Sequence, residues 1–257
     1  MLERNPALAL TFASQLRRLM DSTWLQLLRS VGVGLGSNGE DAKAEAELVL
    51  VPFQVVLFII SSSNAALVQD FCVGDLSVPE GPAGYSCKTV SDVTTDDFVF
   101  TGFRNPANTS NSNKVSVIPA FAAQWPALNG LGISVASVEF APGGRAPMHT
   151  HPAGSELIVI TEGAIIAGFI SSANKVYYKT LETNDAMIFP QGLIHFQVNV
   201  GSVTSKGVVS FSSSNPGLQF TSLSLFGNDL PSEILETVSF IGDAEVKKLK
   251  AMLGGTN

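Results

Sequence analysis

Seven short runs of β-branched and aromatic residues, punctuated at intervals of about ten positions by glycine, proline, serine and asparagine, constrain this chain more than any other feature. They are LGISVASVEF (131–140), ELIVITEG (156–163), AIIAGFIS (164–171), KVYYKTLE (175–182), AMIFP (186–190), IHFQVNV (194–200) and LQFTSLSLF (218–226). Side chains of this kind suit a pleated, half-buried surface, and regular short strands joined by turns predict an all-β sandwich or barrel. With 45% of its 257 residues hydrophobic and 14% charged, the chain has enough apolar material to fill such a core. The tail changes period. Val246, Leu249, Met252 and Leu253 in DAEVKKLKAMLGG predict a short helix, with Asp243 as its cap and glycine as its stop. Its narrow apolar face is expected to dock on a neighbouring subunit.

A net charge of −7 and the lack of any lysine or arginine run leave no surface to neutralise a phosphate backbone, so nucleic acid is not expected as a partner. The N-terminal part reads as targeting material. LVLVPFQVVLFII (48–60) is too short to span a bilayer and runs into SSSNAA, as a secretory leader runs into its cleavage site. Ser63 and Ala65 suit the −3 and −1 positions, which sets residues 48–65 as leader and 66–257 as the mature domain. EDAKAEAE, just before, is acidic where a leader is basic. Residues 1–47 are read as an extension with no assigned role. Within it Leu16, Leu19, Met20, Trp24, Leu27 and Leu28 share one helical face, and an organellar transit segment is the alternative.

The only two cysteines, Cys72 and Cys87, flank a Gly-, Pro- and Ser-rich loop. A disulfide between them is expected, with two unrelated buried thiols as the alternative. Asn108 opens an N-glycosylation sequon, NTS, in the polar stretch NPANTSNSNK. Leader, cysteine pair and sequon together indicate a secreted protein, exposed to the extracellular space.

The chain holds three histidines, and two stand one residue apart in PMHTHPAGSE. On a strand His149 and His151 project to the same side, while Glu156 begins the next strand. The third, His195, shares a strand face with Gln197 and Asn199, a polar row in an otherwise apolar segment. A lone histidine is commonly a core residue bonded to the backbone. Three of them with a glutamate on barrel-type strands predict a metal site, for which Mn, Fe, Ni, Cu and Zn all suit the donor set.

These residues carry a resemblance. GGRAPMHTHPAGSELIVITEG (143–163) matches the first cupin motif, G-x5-H-x-H-x3,4-E-x6-G, through Gly143, His149, His151, Glu156 and Gly163. PQGLIHFQVN (190–199) matches the second, P-x-G-x2-H-x3-N, through Pro190, Gly192, His195 and Asn199. QDFCVGDL with Cys87 downstream, and LFGNDLPSEIL, resemble the two ends of plant germin-like proteins, nearest the group described as auxin-binding. The resemblance covers residues 66–257. It implies a cupin jelly-roll barrel with short C-terminal helices, one Mn(II) per subunit on His149, His151, Glu156 and His195, and a hexamer built as a trimer of dimers in the apoplast or cell wall. It also implies three functions: superoxide dismutase activity, binding of a small carboxylate such as auxin, or a structural, nutrient-reservoir role. Two departures stand out. Asn184 replaces the glycine that opens the second motif, in a turn where φ above zero tolerates asparagine. Ala136 and Ala146 align with two asparagines that contact oxalate in the oxalate oxidases, so oxidation of oxalate is not expected.

Overall fold

The computed structural model describes residues 69–257. The leader, its cleavage site and the extension lie outside the described residues. Two five-stranded antiparallel sheets face each other. The first has the order β1-β2-β9-β4-β7, with β1 at Val115–Ala120, β2 at Ser134–Phe140, β4 at Glu156–Glu162, β7 at Ala186–Phe189 and β9 at Ser205–Phe211. The second has the order β10-β3-β8-β5-β6, with β3 at Arg145–Thr150, β5 at Ala164–Ile170, β6 at Val176–Glu182, β8 at His195–Val198 and β10 at Gln219–Phe220. This is an all-β, two-sheet architecture of the kind that the strand pattern predicts.

Alternation builds the core. In β2 the even positions Ser134, Ala136, Val138 and Phe140 are buried while their neighbours are half-covered, as a strand with one face inward requires. Ala136, Val138 and Phe140 meet Ile158 and Ile160 of β4, Val209 and Phe211 of β9, Ile165 and Ala167 of β5 and Leu181 of β6 in one apolar cluster. Each large side chain removed from water here contributes about 1.5–3 kcal/mol. Between β4 and β5 the chain reverses at Gly163, with φ at 76° and Ser205 so near that a Cβ would stand 2.7 Å from its Oγ. Asn184 adopts φ 74°, as its motif position requires.

Two strands escape the sequence pattern. β1 contains Pro119, which an edge strand accommodates because no partner needs its N–H on the outer side. β9, SKGVVSF, lies outside the seven runs, its apolar residues broken by serine and glycine. Gly207 is there for close approach: a Cβ would lie 2.8 Å from the Val159 carbonyl of β4. The expected strand 218–226 is also corrected. Only Gln219 and Phe220 pair with β3, and the chain then turns into helix α1, Thr221–Phe226, which delivers Phe226 to a separate apolar cluster. That cluster joins Phe226 to Leu235 of α2 (Ser232–Ser239) and Val246 of α3 (Asp243–Leu253), with Leu249 and Leu253 against it. The tail helix therefore packs on its own chain, which corrects the expected docking of Val246 and Leu249 on a neighbour; Met252 alone of the four faces solvent. Its N-cap is Gly242 rather than Asp243, which sits in the first turn and pairs with Lys247 at 2.8 Å; Gly254 closes it in the left-handed region.

Before β1 the chain is held without regular strands. The structure joins Cys72 to Cys87, fifteen positions apart, and the segment carries three short 3-10 turns. Lys88 pairs with Asp97 at 2.8 Å, and Trp125 stacks on Phe100. Replacing both cysteines by serine is expected to lower stability by roughly 3 kcal/mol, the loop-closure contribution for a crosslink of this span. Denaturant melts check this, and an unchanged midpoint would mean that the packed aromatics alone hold the segment. Among the described residues no helix is long and apolar enough to cross a membrane.

Candidate metal centre

His149 lies on β3 directly opposite His195, the first residue of the neighbouring strand β8. Their rings stand 4.1 Å apart, centroid to centroid. His151 follows β3 by one position and keeps the same side as His149. Glu156 opens β4 in the other sheet, so its carboxylate reaches across the barrel to the three imidazoles. The strand period thus brings together four side chains that are 5%, 6%, 4% and 1% exposed for His149, His151, Glu156 and His195. One donor atom from each lies within 4.8 Å of all the others, an arrangement able to hold a metal ion.

Hydrogen bonding prepares the rings for that use. Nδ1 of His149 bonds the Pro147 carbonyl at 2.8 Å, Nδ1 of His195 bonds the Leu193 carbonyl at 2.8 Å, and Nδ1 of His151 bonds the Gly217 carbonyl. A carbonyl only accepts, so each Nδ1 carries the proton and each Nε2 presents a lone pair. Two of these atoms face the carboxylate: Nε2 of His151 and of His195 lie 2.9 and 3.2 Å from Oε2 of Glu156. Nitrogens and an anionic oxygen packed this closely share a cation, a proton in the metal-free chain or a metal ion when one is bound. The donor set fits a bound metal for this reason. Gln197 steadies the carboxylate, its Nε2 donating to Oε1 at 3.1 Å and leaving Oε2 for the centre.

Ionisation agrees. Burial above all, followed by the nearby His195, pushes His149 down to about 4, so its ring is neutral and ready to coordinate at pH 7. Burial works against ionisation of Glu156, but hydrogen bonds from His151 and His195, which in the metal-free chain put a proton where the metal would sit, outweigh it and bring the carboxyl down to about 2. The sign for the metal-free protein follows. Below 6.5 an unfolded chain protonates His149 while the folded chain resists until about 4, so stability should fall across that window by roughly 3 kcal/mol. Glu156 acts later, since the contribution of a depressed carboxyl is complete above 4.5 and lost on the way to about 2. Thermal melts of stripped protein at pH 7 and 4.5 test this; equal midpoints would contradict a neutral buried ring.

Asn199 does not join the cluster, although it shares the inward face of His195. Its Nδ2 donates to the Phe140 and Val203 carbonyls at 2.9 and 2.8 Å and its Oδ1 accepts from Gly201 N–H at 2.9 Å. Four strand positions separate it from His195, about 13 Å of chain, so it locks a turn at the other end of the barrel. Around the histidines the wall is aromatic. Phe189 stacks on His195 at 4.6 Å, Phe211 packs against His151 at 4.8 Å and Phe220 lies 5.8 Å from His149. Ala136 and Ala146 both belong to the inner surface, with Ala146 opposite Gln197 in register. Asn108 is exposed, its Oδ1 accepting from Ser110 N–H. Sequence reasoning missed the three carbonyls that orient the rings, because Pro147 and Leu193 act through the main chain and Gly217 is remote in sequence.

Residues 101–247 match the cupin family profile. Over 209 residues the chain is 53% identical to germin-like protein subfamily 3 member 3 of Arabidopsis thaliana, covering 81% of this chain and 99% of that protein. It is 51% identical over 209 residues to auxin-binding protein ABP20 of Prunus persica, covering 81% and 98%. Among solved structures it resembles a recombinant oxalate oxidase in complex with glycolate, with a TM-score of 0.71 and 36% identity, over 74% of this chain and 98% of that one.

Proposed function

Because the chain belongs to the cupin family and, within it, to the germin-like proteins, we propose that it is a secreted, manganese-holding protein of the apoplast that dismutes superoxide. Each subunit of a hexamer, built as a trimer of dimers, holds one Mn(II) on His149, His151, Glu156 and His195. The observation that carries the reading is the common anchoring of the three rings, each with Nδ1 given to a carbonyl, with Nε2 of His151 and His195 turned to the Glu156 carboxylate and His149 within the same four-ligand cluster. When bound, manganese supplies one-electron redox chemistry, by which two superoxide anions and two protons become dioxygen and hydrogen peroxide. The chain's own residues do the rest. Histidine rings locked by the backbone fix the donor directions, Gln197 holds Glu156 in place, and Phe189 and Phe211 keep bulk water from the ligand side of the rings.

Elemental analysis of the secreted oligomer, joined to a superoxide assay profiled with azide, cyanide and peroxide, tests this. Manganese near one per subunit with cyanide-resistant activity is expected, and redox-silent zinc at full occupancy would remove the enzyme reading. One observation favours a second reading, small-carboxylate binding: the Phe189, Phe211 and Phe220 wall suits an aromatic acid whose carboxylate reaches the centre, and one relative is called auxin-binding. Saturable binding of such an acid, lost on metal removal, would favour it.

Oxalate is not the substrate in this reading. Where the resemblance places two asparagines, the barrel wall carries Ala136 and Ala146, and neither side chain donates a hydrogen bond. Each missing donor leaves a desolvated oxygen unpaired, at about 1–3 kcal/mol. The protein is expected to release no peroxide from oxalate, and Ala136→Asn combined with Ala146→Asn to gain a trace; robust turnover by the unmodified chain would refute the assignment of these two positions. Processing belongs to the same proposal. The extracellular protein should begin near Ala66, with residues 66–257 as the cupin domain, and carry glycan on Asn108. Intact Met1 in the mature protein, or a chloroplast location, would contradict it.

A further inference from the structure

One contiguous set of contacts joins the disulfide segment to the metal cluster, and the chemistry above uses only its last links, the Gly217 carbonyl and Phe211. Asn129 stands at the junction. It ends the 3-10 turn Pro126–Leu128 in the connection between β1 and β2, and it is 4% exposed. Its amide is spent on the disulfide segment: Nδ2 donates to the Tyr85 carbonyl at 2.8 Å and to Cys72 Sγ at 3.2 Å, while Oδ1 accepts from Tyr85 N–H at 3.1 Å. Room for it exists only because residue 84 is glycine, where a Cβ would lie 2.6 Å from Oδ1. Two more bonds reach the same turn, from Gly74 N–H to the Pro126 carbonyl at 2.9 Å and from Trp125 Nε1 to the Asp97 carbonyl at 3.0 Å.

Both ends of this connection grip the loop that aims His151. Ala122 N–H donates to the Ser214 carbonyl at 2.9 Å and Ser134 Oγ donates to the Ser213 carbonyl at 2.6 Å. Phe121 packs edge-on against Phe211 at 5.5 Å, and Phe211 packs against the ring of His151. The same loop ends at Gly217, whose carbonyl takes the His151 Nδ1 proton. A connection with a single 3-10 turn of its own takes its position from whatever it is tied to.

We propose that Asn129 is a positioning residue for the metal cluster, passing the anchorage of the Cys72–Cys87 segment through the 121–133 connection to the 212–217 loop and so to the ring of His151. This rests on the metal-holding reading of the cluster. Loss of the Asn129 amide loosens the connection, the Gly217 carbonyl wanders, and Nε2 of His151 spends less time aimed at the centre.

The test is release of metal from the full-length secreted protein into excess chelator, with deuterium uptake of the stripped protein measured alongside. Asn129→Ala is expected to release metal about tenfold faster, the lower end of the loss seen when a group orienting a ligand imidazole is removed. Asn129→Asp keeps the acceptor for Tyr85 N–H and loses both donor contacts, so its rate should fall between. Cys72→Ser with Cys87→Ser should behave like Asn129→Ala. In each, peptides covering 211–220 should exchange faster, while those covering β5 and β6 should not change. A purely structural role would lower the melting temperature yet leave both the release rate and the 211–220 exchange as in the parent, and that result overturns the inference. Should Asn129→Ala fail to fold, the aspartate and cysteine variants decide by the same two readouts. His195→Ala separates the premises: full metal content in it, or none in the parent, removes the metal reading, and the exchange of 211–220 still decides whether Asn129 governs that loop.

Discussion

His195→Ala is expected to yield a protein without bound metal, without dismutase activity and with a melting temperature lower by about 10 °C. His195 is among the most deeply buried side chains of the barrel, and Glu156 beside it is almost as deep. Removing the ring takes one donor from the centre and one of the two nitrogens that hold the carboxylate ionised. It also strips the stacked partner from Phe189 and leaves a void next to it. Breaking a buried pair by deleting one member costs roughly 3–5 kcal/mol, and in a domain of this size each kcal/mol moves the midpoint by about 2–4 °C. The lost metal-binding energy adds to this, because an ion that binds only the folded chain stabilises it. Glu156→Gln makes the informative contrast. It removes the charge but keeps the shape and the Gln197 contact within reach, so weakened metal binding and a smaller drop in midpoint are expected. Full metal content in His195→Ala, measured by elemental analysis, would refute the centre itself.

That centre was legible because its information is local and periodic. His149 and His151 stand two apart on a strand, Glu156 opens the next one, and His195 interrupts an apolar run, so residue type and a period of two sufficed to place them on one inner surface. Asn199 shows the limit of the same rule. It has the right face but the wrong height, since four strand positions carry it about 13 Å from His195, and its amide is spent on the Phe140 and Val203 carbonyls at the far end of the barrel. The helical tail was legible as a helix from Val246, Leu249 and Leu253, yet not as to what it covers. Of its partners, Phe226 comes from a run read as a strand and Leu235 from outside the seven runs. β9 was hidden for a different reason: serines and Gly207 break its apolar run, and the approach of the Val159 carbonyl explains the glycine. Asn129 had no signal at all, since its partners Tyr85 and Cys72 lie more than forty positions away.

Lys250→Met is expected to detach the C-terminal strap while leaving the metal centre intact. Lys250 is 3% exposed, although lysine is rarely buried without a carboxylate beside it. Its ammonium is instead held by main-chain carbonyls, at 2.5 Å from that of Thr256, at 3.4 Å from that of Asn228, and against that of Leu230. One side chain on α3 thereby closes both the loop between α1 and α2 and the last residues of the chain. Methionine fills nearly the same volume and relieves the cost of burying a charge, so cavity and desolvation effects almost cancel. What remains is the orphaned carbonyls. That of Asn228 still accepts from Thr256 N–H, but those of Leu230 and Thr256 lose the donor they share, at about 1–3 kcal/mol each. The loss falls on a segment held to the helices by few other bonds, chiefly Asn257 Nδ2 to the Asp229 carbonyl and Ser232 Oγ to that of Asn257. Deuterium exchange should therefore rise sharply in 227–231 and 254–257, with metal content and exchange at β3 and β8 unchanged. Because α3 packs on its own chain through Val246, the strap can open without unfolding the barrel, and a variant that loses metal together with the strap would show that the helical cluster and the centre form one cooperative unit.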